Sequence, residues 1–128
     1  MAARLEWGAD SERQIQTVED LDRLLDELEN DAKEDPFLVE LIRAGGESLS
    51  FGLGGPQTVL DYVPADLDPP YLQSHGVPVS DDALAFRLRG ELSEFPPDAG
   101  VPTEMGREVL RHFLRKGELS PTISWRET

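Results

Sequence analysis

The sequence predicts an α+β fold, with an antiparallel sheet of about five or six strands and two helices packed on one face. Three observations carry this. Residues 17–32 and 103–116 repeat apolar side chains at helical spacing. Between them, short apolar runs alternate with polar residues, the pattern of half-buried strands. Glycine-rich corners separate the early runs and leave room only for tight antiparallel connections.

The elements follow in chain order. "RLEW" (4–7) reads as a short first strand, and residues 1–14 as irregular chain or a short edge strand. The first helix is capped by Thr17, with Asp20 completing a capping-box-like pair. Val18, Leu21, Leu24, Leu25, Leu28 and Ala32 form its apolar stripe, and Pro36 marks its end. Glu19, Asp20 and Asp22 suit the positive end of the helix dipole. "FLVELIRA" (37–44), "ESLSFGLG" (47–54) and "QTVLDYVP" (57–64) read as a three-stranded meander, with Leu49, Phe51 and Leu53 on one face. Residues 65–82 hold three prolines and are expected to carry only short or edge strands. "ALAFRLRG" (83–90) resumes alternation, with Leu84, Phe86 and Leu88 facing in, and 91–102 gives a short strand and a turn. Phe95 is expected to plug the same core from its other end. The second helix is predicted to be capped by Thr103, to bury Met105, Val109, Leu110, Phe113 and Leu114, and to end at Gly117. "PTISWR" (121–126) closes the sheet, with Ile123 and Trp125 on one face.

The 128 residues suit one domain. No run of about 18 apolar residues is present, so no membrane span is expected. The N-terminus has no apolar signal-like region, and there are no cysteines. A cytoplasmic location is the resulting expectation. Charge is the strongest bulk feature: 26 acids against 12 bases, a net charge of -14. Such a surface repels nucleic acid and anionic membranes and attracts a basic protein. Residues 1–35 hold 12 acids and 4 bases, whereas residues 101–128 hold 4 acids and 5 bases, so the field is polarised along the chain.

Catalytic and cofactor motifs are poorly represented. "GLGG" (52–55) resembles the start of a dinucleotide loop, but Gln57 stands where the third glycine is needed and a strand follows, so a hairpin corner is favoured. The two histidines, His75 and His112, have no metal-binding spacing, and His75 reads as a surface-loop residue. No metal site and no cofactor is expected. The carboxylates are numerous, but nothing in their spacing selects an acid–base pair. Those from Asp61 to Asp68 cluster with Tyr62 and Tyr71 on a chain stiffened by Pro64, Pro69 and Pro70. That composition suits protein recognition. It equally suits tyrosines packed into a core beside a proline-shaped turn.

The strings at 50–76 and 91–128 resemble the DddI-like family of bacterial immunity proteins. The shared pieces are G-L-G, Y-V-P, P-P-Y and E-F-P, then the amphipathic helix and a closing W-x-E (Trp125, Glu127). The layout from about residue 15 onward matches as well. The resemblance implies a small cytoplasmic α+β protein that is not an enzyme. It would be encoded beside a polymorphic toxin and would bind and block that toxin, typically a deaminase acting on cytosine in DNA. The implied partner is a basic, deaminase-like toxin domain, with no nucleic acid, membrane or small-molecule substrate. The resemblance fixes no contact residues; the acids and tyrosines themselves make Asp61, Tyr62, Asp66, Asp68, Tyr71, Glu91 and Glu94 the expected partner-facing residues. Two other classes stay open on the residues alone: an adaptor for an unrelated basic protein, and a small carboxylate enzyme.

Overall fold

The computed structural model describes residues 3–128. In chain order the elements are β1 (Ala3–Trp7), β2 (Ser11–Ile15), α1 (Val18–Ala32), β3 (Phe37–Arg43), β4 (Ser48–Leu53), β5 (Gln57–Thr58), β6 (Leu60–Val63), β7 (Leu72–His75), β8 (Leu84–Leu88), β9 (Glu91–Phe95), β10 (Val101–Pro102), α2 (Thr103–Lys116) and β11 (Ser124–Glu127). A single 3₁₀ turn, Pro97–Ala99, precedes β10. The class is α+β, but the sheet has nine strands rather than five or six. Seven run in the order β11-β7-β6-β4-β3-β1-β2, with antiparallel neighbours throughout. The hairpin β8–β9 joins the end of β3 through one parallel pair, Phe37 with Arg87. Strands β5 and β10 form a separate two-stranded ribbon.

The extra strands have physical reasons to escape a sequence reading. In β2, "SERQI", only Ile15 is buried; the other residues are exposed on an edge strand that needs no apolar alternation. Strand β7 lies inside the proline-rich region, yet it is flanked by β6 on one side and β11 on the other. Its buried residues are Gln73 and Ser74. Ser74 Oγ donates to the Ala99 carbonyl at 2.6 Å and accepts from the Leu60 amide at 3.0 Å, which makes burial of a polar strand tolerable. His75 is therefore a strand residue, not a loop residue.

Alternation divides the sheet into two unlike faces. One face presents Leu5, Val39, Leu41, Leu49, Phe51, Leu53 and Leu60 to both helices, and these join Leu21, Leu24, Leu25, Leu28, Val109, Leu110, Phe113 and Leu114 in the main core. Helix α1 starts at the expected capping box, with Thr17 Oγ1 accepting from the Asp20 amide at 3.1 Å and Asp20 accepting from the Thr17 amide at 3.2 Å. Helix α2 begins differently from expectation. Pro102 occupies the cap position, and Thr103 is the first helical residue. Its hydroxyl instead donates to the Gly55 carbonyl at 2.7 Å and ties the helix to the β4–β5 corner. Met105 lies outside the core, 39% exposed, because Gly106 rather than Met105 meets Phe51, Thr58 and Leu60. The helix ends at Gly117, whose φ of 70° lies in the left-handed region. Any Cβ there would collide with the Arg43 guanidinium. The two helices face each other through charge: Arg107 reaches Asp26 at 2.9 Å and Arg111 reaches Asp22 at 2.9 Å. Two arginines of α2 thus offset part of the negative charge of the first helix.

A second, smaller cluster lies across the sheet. Leu38, Val59, Phe86 and Ala99 are buried there, with Leu84, Leu88 and Phe95 packed against them. Phe95 therefore does not plug the main core; its ring sits 6.3 Å from Phe86 in this second cluster. The Phe86 ring lies directly over Gly52, where a Cβ would come within 2.5 Å of it. Glycine at this strand position is what lets the β8–β9 hairpin settle onto the sheet.

Candidate functional site

The face opposite the helices carries the chemistry. Register places one residue from each of seven strands in a single transverse row: Glu12, Glu6, Glu40, Ser50, Asp61, Gln73 and Arg126. At the usual strand spacing this row spans roughly 30 Å. Four of its seven members are carboxylates. Arginines answer those at one end: Arg4 bonds Glu6 at 2.6 Å and lies 3.7 Å from Glu12, while Arg89 reaches from beyond β8 to Glu6 and Glu40, both at 3.4 Å. The Arg4 bond holds the Glu6 carboxyl below its ordinary range. At the other end Arg126 forms a two-pronged pair with Asp98, at 2.7 and 3.0 Å, which lowers the Asp98 pKa.

Asp61 is the exception. Its neighbour is an uncharged amide, Gln73 Nε2, which donates to Oδ1 at 3.0 Å. Among the described residues no basic group pairs with it. Burial raises its pKa above the ordinary value, and the Gln73 bond offsets only part of that. Asp61 lies in a cleft of about 350 Å³ between the sheet and the β8–β9 hairpin. Leu38, Val63, Leu88 and Phe95 give the cleft apolar walls; Ser48, Ser50, Ser93 and Glu40 complete it.

The structure divides the seven sequence-predicted residues. Asp61 and Tyr62 are adjacent in β6 and so point to opposite faces. The Tyr62 ring packs against the main core and meets Phe113 edge-on at 6.1 Å. Burial, with the charges of Glu47 and Asp66, raises its hydroxyl pKa. Asp66, Asp68 and Tyr71 belong to the loop that links β6 to β7 at the end of the sheet. That loop is internally tied: Asp66 Oδ1 accepts from the Asp68 amide at 3.0 Å, and the Tyr71 hydroxyl donates to the Leu67 carbonyl. The Tyr71 carbonyl also accepts from the Thr128 amide at 3.0 Å. Asp66 and Asp68 remain exposed on this ordered loop. Glu91 and Glu94 are both exposed on β9 but on opposite sides of that hairpin strand. Three carboxylates of the sheet face, Glu6, Glu12 and Glu40, are absent from the sequence-based set. They lie far apart in the chain, and only the strand register aligns them. The signal that separates Asp61 from Tyr62 is simple alternation.

Among the described residues, no group of three or more His, Asp or Glu side chains is placed to hold a metal ion. The face is thus polar and largely ion-paired, with one apolar-walled cleft that holds a carboxylate unpaired among the described residues. The model of the immunity protein Imm1 family matches residues 9–127, and the chain belongs to that family. Comparison with curated proteins returns no match. Membership implies a cognate toxin as the partner.

Proposed function

We propose that this protein neutralises a cytosine deaminase toxin that acts on DNA, by laying the helix-free sheet face over the toxin's nucleic-acid groove. The observation that carries the reading is the transverse row of carboxylates on a face left open by both helices. A deaminase that grips DNA needs cations where phosphates lie. A row of carboxylates can take those positions, and opposite charge speeds capture. Asp61 contributes from the cleft, Glu91 and Glu94 from the hairpin, and Asp66 and Asp68 from the loop at the sheet's end. Tyr62 and Tyr71 act indirectly: one anchors β6 to the core and the other pins the loop. The protein would work in the cytoplasm of the cell that makes the toxin.

The test pairs the protein with the toxin domain encoded beside its gene. Co-expression should rescue growth and suppress cytosine deamination in the host DNA. The purified pair should bind with an affinity that falls as salt rises. A neighbouring toxin with another activity would remove the deaminase assignment but leave the binding face intact. Rescue and binding unchanged by reversing Asp66 and Asp68 to lysine would exclude the loop from the interface.

A further inference from the structure

We propose that the cleft between β8–β9 and the sheet is a socket for one arginine side chain of the bound toxin, with Asp61 as its counter-charge. This rests on the reading of the helix-free face as the toxin-binding surface and specifies the chemistry of its central contact. The cleft is not simply an acidic patch. Two carboxylates line it, and Glu40 already has Arg89 at 3.4 Å. That leaves a single carboxylate held among apolar walls and facing no cation of its own chain. Every other carboxylate of the row has an arginine within 4.0 Å.

A carboxylate already stripped of much of its water is a strong place to receive a charge, because little further desolvation is needed on binding. Gln73 holds Oδ1 and fixes the carboxyl orientation, while the other oxygen stays available to an incoming donor. Guanidinium suits the rest of the cleft better than ammonium. Its fork of five donors can serve Asp61 and the hydroxyls of Ser48 and Ser93 together. Its flat face can lie against Leu88 and the Phe95 ring, a contact open to a weakly hydrated planar cation. The charged groups around the socket are Glu40 of β3, Arg89 beyond β8, Asp61 of β6 and Glu91, which shares a side of β9 with Ser93 and Phe95. None of them neutralises Asp61.

The experiment titrates the isotope-labelled full-length protein with Nα-acetyl-arginine methylamide, and in parallel with the uncharged citrulline analogue. Amide shifts of Ser50, Asp61 and Ser93 and the Asp61 side-chain carboxyl shift are followed. The expected result is saturable, localised binding of the arginine compound, with the Asp61 pKa falling as it binds. Citrulline, and arginine with an Asp61→Asn variant, should bind at least ~10-fold more weakly. A Leu88→Trp variant, which fills the cleft and keeps the charge, should abolish the shifts. Equal binding of both compounds, shifts scattered away from the cleft, or an unaffected Asp61→Asn variant would overturn the proposal. The two failures are distinguishable: a socket that fails while the toxin still binds sinks only this inference, whereas an arginine-binding socket with no toxin bound sinks the proposed function and, with it, the toxin as the source of the arginine.

Discussion

The two faces of this sheet are built by the same strands and do opposite things. On the helix side Leu5, Leu41, Leu49, Phe51, Leu53 and Leu60 are fully buried, and nothing but apolar packing is asked of them. One residue along each strand, the chain presents Glu6, Glu40, Ser50 and Asp61. Those side chains pair, partly pair or stand alone, and their burial opposes their charge. The contrast teaches that a strand's period of two lets one short segment encode both an apolar core and a charged, cleft-bearing face. It also explains why the smaller apolar cluster under Phe86 exists: it seats a hairpin that turns a flat polar face into a cleft.

Substitutions on each face should separate these roles. The largest effect belongs to the helix side, where Phe51→Ala should cost about 3–5 kcal/mol in urea unfolding. A loss much under that would mean that Phe51 is not the centre of the core. Phe86→Ala should cost about 3 kcal/mol, since it empties the second cluster. It should also release the hairpin, read as faster amide exchange in β8 and β9 with α1 and α2 still protected. Thr17→Ala removes the capping hydroxyl and should lower stability by about 1 kcal/mol. On the polar face Glu6→Gln should cost less than about 1 kcal/mol, and the loss should shrink further in high salt.

Asp61→Asn should run against this order by raising stability. Because its folded pKa is raised, the folded chain holds the Asp61 proton more tightly than the unfolded chain does. The charged form therefore destabilises at neutral pH, and that penalty fades as pH falls through the folded pKa to the ordinary value of about 3.9. The gain from asparagine should be greatest near neutral pH and vanish in acid, as thermal melts across pH would report. A carboxylate kept at a cost to stability is what a recognition role would leave behind.

Much of this was legible in the chain. The capping box of α1, the left-handed Gly117 and the buried set Leu49, Phe51 and Leu53 all followed from local spacing and local chemistry. What escaped depended on distant partners. Strand β2 has the composition of a loop and becomes a strand only by pairing with β1. Strand β7 buries Ser74 because Ala99 and Leu60 supply its hydrogen bonds. Of the helix-free face, Asp61 was readable as an acid in a stiffened segment, and alternation alone sets it apart from Tyr62. Glu6, Glu12 and Glu40 could not be grouped without the register of three strands, β1, β2 and β3.

The central claim is that the helix-free face meets the toxin, and one matched comparison tests it most directly. Glu40→Gln/Asp61→Asn and Asp31→Asn/Glu34→Gln remove the same amount of charge, the first pair from the cleft and the second from the exposed end of α1 and the turn after it. Binding of the neighbouring toxin domain is measured for both at one salt concentration, with folding checked by thermal melts. The account predicts at least ~100-fold weaker binding for the cleft pair and a change of only a few-fold for the α1 pair. Equal losses, or a larger loss from the α1 pair, would contradict it.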